Sequence, residues 1–207
     1  MSIRVFIADD NPAVRRSLCD MLKRHQEVKI IGEAGNGKDA VERCLNLMPD
    51  ILTIDVHMPD LNGIEATRQI ISQNPQVKVL ALSGDSDLYY VRGMLAAGAS
   101  GYVLKYFLSE ELVNAFQTIA EGRIYLSTKI RYEIISALSD SIANLTYIEE
   151  VLLHGLSEGK CISDIALDLH LALKVVYDIS QDLIGKSVMS DIRDLAKYII
   201  LEGIDCI

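Results

Sequence analysis

The sequence predicts an α/β domain with a doubly wound, five-stranded parallel sheet, followed by a small all-α domain of helix-turn-helix outline. Three observations predict it. Short apolar runs rich in β-branched residues alternate with amphipathic helical stretches five times over about 120 residues. Strands spaced by whole helices must lie parallel, with right-handed crossovers and helices on both faces. After Gly122 the strand signals stop and only helical periodicity remains.

Ile3–Ala8 is the first strand, and Asp9 and Asp10 follow it at once. Asn11 is placed to cap a helix with Pro12 at its first position, running to about His25. Val28–Ala34 is the second strand, closed by Gly35–Asn36–Gly37 and followed by a helix over 38–47. Pro49–Asp50 leads into the third strand, Ile51–Asp55, and a loop with Pro59 and the turn pair Asn62–Gly63 comes next. A helix over 63–72, the strand Val77–Leu82 and a helix over 86–97 continue the alternation. The fifth strand, Gly101–Leu104, ends at Lys105, and Ser109, Glu110 and Glu111 open the last helix of this half.

A parallel sheet delivers every strand's carboxyl end to one edge, where open α/β sheets place their chemistry. The groups delivered are Asp9, Asp10, Asp55, Ser83 and Lys105. Taken singly, each has a bland reading: turn acids, a helix cap, a solvated lysine. Jointly, three clustered carboxylates repel, and a hard divalent cation relieves that repulsion; Mg2+ suits a few carboxylates plus waters. A cation there lets a dianionic phosphoryl group approach Asp55. Lys105 is placed to pair with phosphoryl oxygens and the Ser83 hydroxyl to hydrogen-bond one of them.

Composition sets outer limits. The 207 residues carry net charge −9, and half are hydrophobic. No run approaches the roughly 18 apolar residues of a membrane span, and Met1–Ser2–Ile3–Arg4 leads straight into a strand, so the expectation is a cytoplasmic protein with no membrane association. Cys19, Cys44, Cys161 and Cys206 are scattered, as reduced thiols would be. Residues 141–207 hold 5 Lys/Arg against 11 Asp/Glu, net −6, the opposite of the basic excess typical of nucleic-acid binding.

The segments IADD at 7–10, DVHMPDLNG at 55–63, ALSG at 81–84 and GYVLK at 101–105 resemble the receiver domain of two-component response regulators. AAGASGYVLK and EGRIYLS (121–127) resemble its NarL/LuxR branch, and the likeness covers residues 3–127 in register. It implies a flavodoxin-like receiver over 1–122, with Asp55 as phosphoacceptor and Mg2+ as cofactor. By the same resemblance Asp10 is a metal ligand, Asp9 a ligand directly or through water, and the His57 backbone carbonyl completes the protein ligands. Ser83 is the switch hydroxyl and Lys105 the phosphoryl-contacting lysine. Tyr102 is the aromatic that reorients on activation, or plain strand packing. Asp85 reads as a water-orienting acid or a solvated one. A histidine kinase is the implied phosphodonor. Self-phosphotransfer, with perhaps self-dephosphorylation, is the only catalysis expected.

Residues 123–144 read as a linker with a helix over about 128–140. In 145–207, Thr146 and Glu149 form a capping box, and helices over about 161–169 and 172–186 make the turn motif. Ser190 caps a last helix, Asp191–Leu201. LT at 145–146, Gly159, Ile165–Ala166, Leu169, Leu171, Val176, Lys186 and Leu195 match the pattern of a LuxR-type DNA-binding domain. The resemblance departs where His170 and Ala172 replace a usual glycine and serine cap, and where Val175, Tyr177, Asp178, Ile179 and Asp182 occupy the recognition helix. Lys174, Tyr177, Gln181 and Lys186 are the candidate contacts, to DNA or to a partner. Two outputs follow: a homodimeric transcription regulator that binds DNA, or a decayed helix-turn-helix acting by protein interaction or dimerisation.

Overall fold

The computed structural model describes residues 2–142, 144–186, 196, 197, 199 and 200, in two compact units, Met1–Tyr125 and Leu126–Ile207. The sequence-predicted last helix, Asp191–Leu201 with its cap Ser190, lies outside the described residues apart from those four, as does Cys206.

The strands are β1 Ile3–Ala8, β2 Val28–Ala34, β3 Ile51–Asp55, β4 Lys78–Ser83 and β5 Gly101–Leu104 of the first unit, and β6 Tyr125–Leu126, which begins on that unit's last residue. Their order is β2-β1-β3-β4-β5-β6, and the first five pair parallel. The sixth strand corrects the expected five. A two-residue apolar pair carries no periodicity, so nothing in the sequence separates it from the expected linker; the Tyr125 N–H donating to the Ser100 carbonyl at 3.0 Å makes it a strand. The crossover helices are α1 Pro12–Leu22, α2 Gly37–Leu47, α3 Gly63–Gln73, α4 Leu88–Ala96 and α5 Leu108–Ala120. Asn11, Asn36, Asn62 and Asp87 cap the first four by accepting from N–H groups of the first turn.

Strand residues alternate between the sheet's two covered faces. Val5, Ile7, Ile51, Leu80, Leu82 and Val103 pack with Leu18, Leu22, Leu112, Phe116 and Ile119 of α1 and α5. Phe6, Leu52, Ile54, Ala81 and Tyr102, the residues between them, are fully buried as well. The β3–α3 loop returns tightly because residue 63 is glycine. A Cβ there would stand 2.2 Å from the Asp55 carbonyl oxygen, and the Gly63 N–H donates to the Val56 carbonyl at 2.9 Å.

The second unit holds α6 Thr128–Asp140, α7 Tyr147–Ser157, α8 Ile162–Asp168 and α9 Leu173–Lys186. The helix expected over about 128–140 is α6, and it is packed, with Ile130, Ile134 and Leu138 fully buried. α7, α8 and α9 share a core of Leu152, Leu156, Ile165, Val176 and Leu183. In the turn before α9, His170 adopts φ +54°, a left-handed conformation that glycine enters without strain. His170→Gly is expected to stabilise this unit by about 1 kcal/mol, read as a higher denaturant midpoint at unchanged slope. An unchanged or lower midpoint would contradict the strain argument.

Thr146 and Glu149 form the predicted capping box. Glu149 is buried and also accepts from Lys186 at the far end of α9. Burial works against its charge, but the Lys186 ammonium and the Thr146 hydrogen bonds outweigh that and pull the carboxyl down to about 2. A depressed folded-state value contributes stability above the unfolded value near 4.5 and loses it as pH falls toward 2. The contribution is about 2 kcal/mol, discounted for the solvent screening of half-exposed Lys186. Unfolding of the second unit between pH 5 and 2 should lose this amount in the wild type and much less in Glu149→Gln.

Candidate phosphoacceptor site

The sheet order reverses direction between β1 and β3, so a crevice opens at their carboxyl ends. Asp9 and Asp10 follow β1, and Asp55 ends β3. Oxygens of the three carboxylates lie within 4.8 Å of one another, with Asp9 and Asp55 buried and Asp10 exposed. Lys105 opens a 3-10 turn, Lys105–Phe107, directly after β5. Its Nζ stands 2.7 Å from Asp9 Oδ2 and 2.8 Å from Asp55 Oδ2. The remaining oxygens are oriented by main chain: the Asn11 N–H donates to Asp9 Oδ1 at 2.9 Å and the His57 N–H to Asp55 Oδ1 at 3.2 Å.

The electrostatics follow from burial and this lysine. Burial pushes the Asp55 carboxyl up, and Asp9 adds to the push, while Lys105 pulls it down without cancelling it. Burial disfavours the Lys105 ammonium, but its hydrogen bonds to Asp55 and Asp9 outweigh that and hold it above the usual lysine value. The donor set suits a small divalent cation: hard carboxylate oxygens, one solvent-facing, in a site with more negative than positive side chains.

Ser83 is fully buried as the last residue of β4, one place beyond Leu82, which pairs with Asp55. Its Oγ accepts the Asp85 N–H at 3.0 Å. Tyr102 is fully buried, and its hydroxyl donates to the Asp85 carbonyl at 2.9 Å. Burial pushes that phenol up to about 12. The exposed Asp85 carboxylate accepts the Asp87 N–H at 2.9 Å. The exposed His57 ring meets Tyr90 edge-on at 4.5 Å.

In the second unit the four candidate contacts do not form one free surface. Lys174 pairs with Asp178 at 2.9 Å on the exposed face of α9. Lys186 is engaged by Glu149. Tyr177 and Gln181 are exposed, Val175 is 44% exposed, and Ile179 is half-buried. Lys129 pairs with Glu133 and Lys160 with Asp168.

Arg15 is the residue the sequence reading missed. Its Nη1 donates to the Asp9 carbonyl at 2.8 Å, beside the acidic cluster. The signal available was its place one turn past the Asn11 cap.

A doubly wound sheet with this acidic crevice and a lysine across it is the frame of a receiver domain, and the chain belongs to the response regulators: the response regulator receiver domain family matches residues 5–117. Within that family it stands with the NarL/LuxR type. It is 34% identical over 190 residues to the DNA-binding transcriptional activator DevR/DosR of Mycobacterium tuberculosis, covering 89% of this chain and 88% of that one. It is 31% identical over 202 residues to the transcriptional regulatory protein LiaR of Bacillus subtilis, covering 95% and 96%. The crystal structure of a LuxR-family two-component response regulator from Aurantimonas sp. SI85-9A1 matches at TM-score 0.63 and 31% identity, covering 66% of this chain and 97% of that one. No helix among the described residues is long and apolar enough to cross a membrane.

Proposed function

We propose that this response regulator is a cytoplasmic transcription regulator, switched by phosphorylation of Asp55 and binding DNA as a homodimer. The observation that carries the switch is the convergence of Asp9, Asp10 and Asp55 with Lys105 lying across two of them. The phosphodonor is a histidine kinase. An Asp55 carboxylate oxygen attacks phosphorus, the P–N bond of the kinase's phosphohistidine breaks, and the imidazole leaves with the electron pair. Asp9, Asp10, Asp55 and the His57 carbonyl would hold Mg2+, which supplies charge neutralisation between the carboxylates and the incoming phosphoryl oxygens. Lys105 then exchanges one carboxylate partner for a phosphoryl oxygen. The Ser83 hydroxyl releases the Asp85 N–H and donates to another. That exchange pulls on Asp85, whose carbonyl holds the buried Tyr102, and so reaches α4. The protein's catalysis is confined to its own phosphotransfer.

The output reading rests on full-length likeness to transcription regulators, with Lys174, Tyr177, Gln181 and Lys186 as contacts. One observation favours a second reading, a protein-binding output: Asp178 and Asp182 are exposed on α9, and the lysines at its ends are already paired. Anisotropy of the full chain on upstream-region and random duplexes, with and without a phosphoryl mimic, separates them. Few cations exchange onto phosphates, so specific binding is expected with a shallow log K against log salt slope, about −4 or flatter for a dimer. No binding at low salt with the mimic present would leave the protein-binding output.

A further inference from the structure

We infer that Arg15 is a positioning residue for the cation site, setting the Asp10 carboxylate through the main chain. The inference rests on reading Asp9, Asp10 and Asp55 as that site. Asp9 is held independently, by Lys105 on one oxygen and the Asn11 N–H on the other. Asp10 is exposed, and among the described residues nothing holds its carboxylate in that way. Its main chain meets Arg15, in the first turn after the Asn11 cap. Its Nη1 donates to the Asp9 carbonyl at 2.8 Å and stands 3.4 Å from the Asp10 carbonyl. These contacts fix the peptide planes on both sides of the Asp10 Cα, and with them the direction of its side chain.

A guanidinium beside a carboxylate ordinarily forms a bidentate pair with it, and a cation site so occupied would be lost; the contacts Arg15 makes on this side are to the Asp9 and Asp10 carbonyls. Here the other edge of Arg15 is held away. Its Nε stands 3.4 Å from Glu33 Oε2, and the second Glu33 oxygen accepts from Cys19 Sγ at 3.3 Å. Glu33 on β2 thus balances the guanidinium charge while the Nη1 edge faces backbone carbonyls. The side chain is only 22% exposed, consistent with a fixed group. Arg15 therefore acts on the cation through geometry, against the sign of its own charge, in the manner of the outer groups that orient metal ligands.

Opposed geometry and charge make the test decisive. Mg2+ titration by calorimetry of the full chain would compare wild type, Arg15→Lys and Arg15→Gln, with thermal melts in EDTA as the folding control. Arg15→Lys keeps the charge and loses the fork, and should bind Mg2+ about tenfold more weakly. Arg15→Gln removes a repelling charge yet should also bind more weakly. Unchanged affinity in Arg15→Lys with tighter binding in Arg15→Gln would overturn the positioning role and leave a purely electrostatic one. If Arg15→Lys fails to fold, the sign of the Arg15→Gln change decides alone. Wild-type protein that takes up no Mg2+ would overturn the cation site itself. Wild-type binding with both variants unaffected would overturn only the part given to Arg15.

Discussion

Asp55→Asn is expected to abolish acyl-phosphate labelling of the chain and to leave it folded. The expected result follows from what the substitution changes. It removes the anionic oxygen that would attack phosphorus while preserving the shape of a buried side chain. Stability should move by no more than about 1 kcal/mol, because two changes oppose each other. Lys105 loses one of two carboxylate partners, but the unit also loses a buried charge that burial and Asp9 already disfavour. Intact-mass measurement after incubation with a small acyl-phosphate donor and Mg2+ reads it directly. The wild type should gain one phosphoryl group and the variant none. Labelling that persists in a folded variant would assign the acceptor elsewhere.

Lys105→Met should have the second-largest effect, and its sign should depend on the metal. Lys105 is the cation that compensates Asp9 and Asp55, which are 0% and 4% exposed. Removing one partner of a buried ion pair leaves uncompensated charge, costing about 3 to 5 kcal/mol. In EDTA the receiver's melting temperature should therefore fall by about 10 °C. Mg2+ at the same carboxylates replaces the lost charge, so the variant should gain more from added Mg2+ than the wild type does, by mass action on a site no longer shared with an ammonium. Equal melting in EDTA would mean the pair contributes nothing net. An equal Mg2+ gain in both proteins would mean that lysine and cation do not compete for these oxygens.

The five alternating strands, the Asn11 cap and the Thr146–Glu149 capping box were legible because each is a local pattern, readable within a few residues. The convergence of Asp9, Asp10, Asp55 and Lys105 was legible for another reason: a parallel sheet has one carboxyl edge, so topology alone brings distant residues together. Strand β6 was not legible, since two residues carry no period. The helix over about 128–140 was legible too, as α6, Thr128–Asp140, but that it packs its apolar face was not, because its partners lie elsewhere in the chain. His170 stood out as a departure from a glycine position, but its φ of +54° was needed to make that departure a strain.

By itself, then, the sequence determined the order of elements, the edge on which the acidic residues gather, and the negative charge of the second half. These depend on periodicity, chirality and composition, which are properties of the chain before it folds. Only the tertiary structure decided how the charges pair. Lys105 spans Asp9 and Asp55, Arg15 sits between Glu33 and the Asp9 carbonyl, Lys174 closes on Asp178, and Lys186 is drawn to Glu149 across 37 residues. Ion pairing is set by distance and burial between side chains remote in sequence. No local pattern encodes it, although it governs whether each cation is available to a phosphate.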